Sequence, residues 1–183
     1  PGPTHRHALD PNYKANRPPR PAGLAAELPR VAELLAALRV PQLEIPGWEA
    51  DDVLATLARH CAARGDDVLV ASGDKDFRQL LSAAVHLLRP RPGLGTDAEV
   101  GPEDLERELG IRPEQVVDVM ALAGDAVDNV PGVRGVGEKT AAALIRSHGS
   151  LAALFEQAAH IPQPGLRAKL LAAWSETSYR MQA

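Results

Sequence analysis

Residues 50–71 read ADDVLATLARHCAARGDDVLVA and join a helical pattern to a strand pattern. Apolar residues recur in the first half at the three-to-four spacing of an amphipathic helix, and Gly65 follows as a stop signal. The inward positions of this helix are Val53, Leu54, Leu57 and Ala58. Residues 68–71 form a short, wholly apolar run, which is typical of a buried strand. The stretch therefore predicts a helix over residues 50–64 followed by a strand.

The same alternation of strand and helix continues on both sides of this stretch. Further strands are predicted at residues 42–45 and 85–88, and helices at residues 21–38 and 77–81. Beyond residue 90 only helical patterns remain, at residues 102–109, 113–122, 138–147, 151–157 and 166–174. Four prolines in residues 11–21 (PNYKANRPPRP) indicate an extended or poorly ordered arm. We predict an α/β fold, with a parallel-sheet core over residues 1–111 and an all-helical subdomain over residues 112–183.

Composition excludes several classes of protein. The chain has 183 residues, of which 45% are apolar, which is enough to bury a core. No apolar run approaches the roughly 20 residues of a membrane span, and the N-terminus has no signal-peptide core. The single cysteine, Cys61, cannot form an internal disulfide, which favours a reducing compartment and excludes zinc sites built from cysteines.

Charge is distributed unevenly along the chain. Residues 1–30 carry a net charge of +3, residues 44–128 a net charge of -10 and residues 129–183 a net charge of +3. Solvated helix surfaces could account for charge of this kind in general. Seven of the 18 acidic residues of the middle region, however, lie in three short clusters.

The three clusters follow predicted strands or a helix, at the positions where α/β proteins place functional side chains. They contain seven carboxylates: Glu49, Asp51, Asp52, Asp74, Asp76, Asp125 and Asp128. A single one could simply cap a helix or turn. Carboxylates gathered in one crevice would repel one another unless cations neutralised them, and oxygen-only ligands select Mg²⁺ or Mn²⁺. A two-ion site for phosphodiester hydrolysis is therefore one prediction, and capping is the alternative.

A glycine-rich segment over residues 131–137, PGVRGVG, precedes the helix predicted at 138–147. It nearly matches a P-loop, but Glu138 separates Gly137 from Lys139 and no strand precedes it. We interpret the segment as a tight turn between two helices, named here the glycine hairpin. Its glycines would let a nucleic-acid backbone approach, and Lys139 with the free amides of the next helix would hold a phosphate. The alternative is an ordinary joint between helices.

Five strings together resemble a known family. They are YKANRPPRP (13–21), GWEADDVLATLA (47–58), SGDKDFRQLL (72–81), LAGDAVDNVPGVRGVGEKTAAALI (122–145) and GSLAAL (149–154). In this order they resemble the flap endonuclease family, in particular the 5′-3′ exonuclease domains of bacterial DNA polymerase I. The resemblance implies a PIN-like core, a helix–three-turn–helix subdomain and metal-dependent cleavage of DNA near 5′ ends and at flaps.

The resemblance also implies roles for individual residues. Glu49, Asp51, Asp52 and Asp74 would lie closest to a first Mg²⁺ or Mn²⁺ ion, and Asp76, Asp125 and Asp128 to a second. Lys14 and Arg17 match basic residues of the family's helical arch, here residues 11–21, and would act catalytically near the scissile phosphate. Residues 130–147 match a helix-hairpin-helix motif, whose 132–137 turn also holds a monovalent cation such as K⁺ in relatives. The predicted DNA contacts are Tyr13, Lys14, Arg17, Arg20, Gly132, Arg134, Gly135, Gly137, Lys139 and Thr140.

Partners follow from the same resemblance. DNA with 5′ ends, flaps or single-strand/duplex junctions is the expected substrate, in the bacterial cytoplasm, for a monomer fused to or working with a DNA polymerase and with no membrane contact. Family members begin with two further strands, each ending in a metal-ligand Asp, which this sequence lacks. A non-catalytic, structure-specific DNA-binding module is therefore one alternative, and a PIN-type ribonuclease is the other.

Overall fold

The computed structural model of the chain describes residues 3–90 and 98–177, without the side chains of residues 22 and 174–177. The chain divides into two compact units. Unit 1 consists of Pro1–Val53 and Val127–Asn129, and unit 2 of Leu54–Ala126 and Val130–Ala183. No helix in the described ranges is long and apolar enough to cross a membrane.

Unit 1 contains two helices and the start of a third: α1 (His5–Leu9), α2 (Ala22–Ala37) and the first turn of α3 (Ala50–Ala63). The helix predicted over residues 21–38 is confirmed as α2, although its apolar side chains, such as Leu28 and Leu34, are exposed. The strand predicted at residues 42–45 is wrong. The segment has no regular structure because none of the described strands forms a ladder with it.

The predicted arm over residues 11–21 is only partly extended. Residues 11–16 form consecutive turns, and residues 17–21 have no regular structure. The turns close through backbone hydrogen bonds, in which the N–H groups of Tyr13, Ala15 and Arg17 donate to carbonyls three residues earlier. Turn hydrogen bonds therefore decide the conformation of the first half, which contains one of the four prolines, Pro11.

Unit 2 holds a three-stranded sheet in the order β1 (Val68–Ala71), β2 (Val85–Arg89), β3 (Ala98–Val100). β1 and β2 are parallel, as predicted, with Val68 opposite Val85. β2 and β3 are antiparallel, so the sheet is mixed and the all-parallel prediction is wrong. The sequence analysis missed β3 because three residues carry too little alternation to be recognised.

The remaining described elements of unit 2 are helical, and all were predicted to within a few residues except the 3-10 turn Ala158–His160. A 3-10 helix, Lys75–Leu80, follows β1, and α4 (Pro102–Leu109) follows β3. The remaining helices are α5 (Val116–Ala123), α6 (Glu138–His148), α7 (Leu151–Glu156) and α8 (Pro164–Thr177), with 3-10 turns at Pro113–Gln115 and Ala158–His160. Both α4 and the Pro113 turn begin with proline, whose missing N–H costs nothing in a first turn.

The core of unit 2 joins the sheet to the helices. Among its most deeply buried side chains, Leu87 comes from β2, Leu122 from α5 and Ile145 from α6. Two expectations about burial are wrong: Leu57 of α3 and Leu69 of β1 are exposed. β1 therefore buries only one of its faces, which its wholly apolar composition had concealed. The proposed domain boundary after residue 111 stays a prediction.

Candidate functional site

A tight turn in unit 1 brings Lys14 against the loop Val127–Asn129. The backbone N–H of Lys14 donates to the carbonyl of Asp128 at 3.0 Å, and the Asn129 amide donates to the carbonyl of Asn12 at 2.8 Å. Lys14 and Asn129 both adopt left-handed backbone conformations, with φ of +57° and +59°. A left-handed lysine is uncommon, so the surrounding contacts must hold it in place.

The side chains at this turn form a compact polar group, named here the Lys14 cluster: Tyr13, Lys14, Arg17, Glu49 and Asp128. The ammonium of Lys14 lies 2.7 Å from Oε2 of Glu49 and 3.5 Å from Oδ2 of Asp128. The Tyr13 hydroxyl lies 3.1 Å and 3.0 Å from the same two oxygens. Arg17 pairs with the other oxygen of Asp128. Five residues predicted as site residues are thus brought together.

Burial and charge perturb this cluster. Burial raises the pKa of Tyr13 to about 12, and the nearby carboxylates add to the shift. Burial is the largest single effect on the Lys14 amine and lowers its pKa, but the hydrogen bonds to Glu49 and Tyr13 and the charge of Asp128 together outweigh burial and raise that pKa overall. Lys14, only 17% exposed, therefore stays charged between two carboxylates.

Arg6, which the sequence analysis did not select, pairs with a third carboxylate of unit 1, that of Asp52. Its guanidinium donates to both oxygens of Asp52, at 2.6 Å and 2.7 Å, a two-point arrangement. These bonds hold the pKa of Asp52 below its usual value, despite partial burial. No sequence signal identified Arg6, because it lies far along the chain from Asp52. Asp51 lies exposed on the first turn of α3.

Unit 2 places the other predicted carboxylates. Asp74 caps the 3-10 helix after β1, because its Oδ1 accepts the backbone N–H of Asp76 at 3.0 Å. The ammonium of Lys75 lies 3.4 Å from Oδ2 of Asp125. Asp125 begins a tight loop that closes through paired backbone hydrogen bonds with Val130. Asp74 is therefore a helix cap, as the capping alternative predicted.

The donor chemistry of unit 1 suits a hard cation, although the geometry is not that of a filled metal site. Two carboxylate oxygens and a phenol oxygen surround the Lys14 ammonium, so a cation already occupies that position. Within residues 3–90 and 98–177, no group of three or more His, Cys, Asp or Glu residues is arranged to hold a metal ion. The assignment of seven metal ligands therefore stays a prediction.

The glycine hairpin of unit 2 separates its buried anchors from its exposed face. Val133 and Val136 are buried, whereas the predicted DNA contacts are exposed. Those contacts are Gly132, Arg134, Gly135, Gly137, Lys139 and Thr140. Lys139 lies on the first turn of α6, where free backbone amides favour an anion. Arg20, in the segment before α2, is also exposed.

Gly132 is required for a different reason from the one predicted. A Cβ atom there would lie 2.3 Å from the carbonyl carbon of Ala123 and 2.3 Å from the backbone nitrogen of Gly124. The glycine thus permits two backbone segments of unit 2 to touch. Gly135, with φ of +78°, needs glycine for its left-handed conformation, whereas a Cβ on Gly137 would meet nothing within 4 Å.

Comparison with known proteins gives family matches over nearly the whole chain. Residues 1–110 match the model of the 5′-3′ exonuclease N-terminal resolvase-like domain, and residues 111–182 match that of the 5′-3′ exonuclease C-terminal SAM fold. Thermostable DNA polymerase I of Thermus thermophilus is 46% identical over 172 residues, which are 93% of this chain and 20% of that protein. The chain therefore spans about a fifth of the length of the curated relatives it matches.

Two solved structures are similar to the chain in fold. The T5 5′-exonuclease with bound zinc ions aligns with a TM-score of 0.76 and 27% identity, covering 94% of this chain and 66% of that one. The flap endonuclease of bacteriophage T5, in a pseudo-enzyme-product complex with DNA and metal ions, gives 0.75 and 26%, covering 93% and 65%. The α/β fold and the predicted resemblance are confirmed, and the chain belongs to the 5′-3′ exonuclease family.

Proposed function

We propose that this chain is a metal-dependent nuclease that cleaves DNA phosphodiesters near 5′ ends and at flaps, in replication and repair. The observation that carries the proposal is the Lys14 cluster, in which two carboxylates meet two cationic side chains. Carboxylates can hold a hard cation, and lysine and arginine can hold a phosphate. Phosphodiester hydrolysis needs both in one place.

The proposed cofactor is a pair of Mg²⁺ or Mn²⁺ ions. Glu49, Asp51, Asp52 and Asp128 in unit 1, and Asp74, Asp76 and Asp125 in unit 2, are the proposed ligands. When bound, such ions supply an activated water and stabilise the leaving oxygen. Support for divalent ions comes from the T5 5′-exonuclease, whose structure holds zinc.

Lys14 and Arg17 would bind the phosphate at which the chain is cut. Their present partners are carboxylates, so an incoming phosphate would replace one anion by another around the same cations. Charge grows on the phosphate oxygens as the bond breaks, and cations fixed beside it stabilise that charge. Tyr13 contacts both carboxylates and would help to orient them.

The exposed face of the glycine hairpin and Arg20 would bind the DNA backbone without regard to sequence. A K⁺ ion in the 132–137 turn belongs to the same proposal. We further propose that the protein acts as a monomer in the bacterial cytoplasm and is fused to, or works with, a DNA polymerase. The relatives from Thermus thermophilus and Rhizobium leguminosarum are DNA polymerases I.

A second candidate is a DNA-binding module without catalytic activity. The absence of a metal-ready group of three side chains in the described parts of the chain favours it. Both candidates require the hairpin, and only the nuclease requires the carboxylates. Cleavage and binding must therefore be measured side by side.

The test is a 5′-flap cleavage and binding assay with Mg²⁺. Lys14→Ala should lower the turnover rate more than the affinity for DNA, because its charge acts mainly in the transition state. Lys139→Glu should weaken the binding of DNA duplexes of any sequence, and the size of this loss of affinity should depend on the salt concentration. Arg64→Glu, an equal charge reversal at an exposed residue, is the control. Binding without cleavage by the unaltered chain would contradict the nuclease and support the module.

A further inference from the structure

We infer that Arg78 is a positioning residue for DNA binding: its guanidinium holds the Glu138 carboxylate away from the phosphate that the start of α6 would bind. The inference rests on the proposed function, because it concerns the DNA-binding face of the glycine hairpin. All of its residues belong to unit 2. Neither the helical pattern nor the family resemblance selected Arg78 or Glu138 as a site residue.

The first turn of α6 combines groups that attract a phosphate with one that repels it. Its N-cap, Gly137, carries no side chain that could accept from the first backbone amides, and Lys139 is exposed on the same turn. Glu138, between these two residues, adds a carboxylate there. A helix N-terminus favours negative groups, so this carboxylate would compete with a phosphate for the same partial positive charge. DNA binding at this turn is therefore stronger when the charge of Glu138 is compensated.

Arg78 supplies this compensation. Its Nη1 donates to Oε1 of Glu138 at 3.2 Å, and its Nη2 donates to the two carboxylate oxygens of Glu108 at 3.2 Å and 3.4 Å. The arginine belongs to the 3-10 helix Lys75–Leu80, which lies far from α6 in the sequence. The Glu138 carboxylate is thus drawn towards a different element from the helix that it begins.

Burial fixes the guanidinium in this position. Arg78 is only 9% exposed, and the hollow beside it is lined by Leu109, Ile111 and Val116. Its two partners lie on α4 and α6, so one side chain connects three elements of the same core. Charges interact more strongly where water is excluded. Loss of Arg78 would therefore leave the charge of Glu138 uncompensated at the start of α6.

Two other roles of Arg78 predict different results. If its guanidinium bound the phosphate directly, removal of the Glu138 charge would not replace the lost contact. If Arg78 only stabilised the fold, its loss would lower the free energy of unfolding but leave the affinity of the folded protein for DNA unchanged. If Arg78 positions Glu138, Arg78→Met weakens DNA binding, and Glu138→Gln in the same chain restores it.

The experiment measures the affinity of the full chain for a fluorescent DNA duplex, with EDTA present so that no metal-dependent cleavage occurs. We expect Arg78→Met to weaken binding about fivefold, which is the effect of one charge at a helix N-terminus. Adding Glu138→Gln should restore the affinity to within about twofold of that of the unaltered chain. The matched control combines Arg78→Met with Glu108→Gln, which removes the charge of the other partner from α4 and should leave the loss in place. Urea unfolding of each variant establishes that the folded protein binds the DNA.

Three results would overturn the inference: unchanged affinity in Arg78→Met, a loss that Glu138→Gln does not restore, or equal restoration by Glu108→Gln. In the last case the position of the carboxylate would not matter. If Arg78→Met fails to fold, Arg78→Gln takes its place, because glutamine removes the charge but keeps an amide that can donate.

Lys139→Glu separates this inference from the proposed function. If Lys139→Glu binds DNA as the unaltered chain does, the hairpin is not the DNA-binding face, and the inference fails together with that part of the proposed function. If Lys139→Glu weakens binding and Arg78→Met does not, the inference alone fails.

Discussion

Gly132→Ala should be among the most destabilising single-methyl changes in unit 2. The added Cβ would lie 2.3 Å from the carbonyl carbon of Ala123, 2.3 Å from the nitrogen of Gly124 and 2.4 Å from the oxygen of Ala123. All three are backbone atoms, so no side-chain rotation can relieve the contact. A hydrogen bond also joins the two backbone segments, because the Val133 N–H donates to the carbonyl of Leu122 at 2.8 Å.

Overpacking of this kind costs about 1–3 kcal/mol, and we expect the upper end because only the backbone can move. A loss of about 3 kcal/mol is a large part of a typical free energy of unfolding of 5–15 kcal/mol. For a chain of this length the melting temperature should fall by roughly 6–12 °C. Urea unfolding, followed by circular dichroism, measures the change in the free energy of unfolding directly.

Gly137→Ala is the matched control on the same hairpin. A Cβ at Gly137 meets nothing within 4 Å, and its φ of -91° is accessible to any residue. Gly137→Ala should lower the free energy of unfolding by less than about 1 kcal/mol, which is the cost of placing alanine at a helix N-cap. If Gly132→Ala proves as stable as Gly137→Ala, the close backbone contact does not explain why glycine stands at 132.

Three further changes test other contacts. Arg78→Met should lower the free energy of unfolding in urea by about 1–2 kcal/mol. Arg78 is only 9% exposed, and its partners Glu108 and Glu138 remain accessible to water. Arg107→Met, which breaks an exposed ion pair with Asp104, should leave that free energy almost unchanged. Burial raises the pKa of Tyr13 from 10.0 to about 12, so the contribution of this phenol to stability is complete below pH 10 and is lost as the pH rises to 12. Tyr13→Phe should therefore reduce the fall in the free energy of unfolding between pH 10 and pH 12. An unchanged fall over that range would contradict this account. Arg6 lowers the pKa of Asp52, so that carboxylate stabilises the fold above its ordinary pKa, and the contribution is lost as the pH falls through the lowered value; Asp52→Asn should remove that acid-side loss in unfolding measured below pH 4.

The sequence alone determined the α-helices from α2 onward and the two longer strands, but not α1. The helix predicted at residues 50–64 ends within one residue of α3, because apolar spacing and the following glycine are local signals. Pro102 and Pro113 likewise marked where two helical segments begin. The glycine hairpin was also recognised from its composition, and the family from its five strings.

Only the tertiary structure decided which charges meet. The sequence selected Lys14, Glu49 and Asp128 as site residues but could not show that one ammonium contacts both carboxylates. It gave no sign of Arg6, whose partner Asp52 belongs to another element. Helix and strand formation depend on neighbours along the chain, which a local pattern records. Ion pairs, burial and the close contact at Gly132 depend on segments that folding brings together, and no local pattern records them.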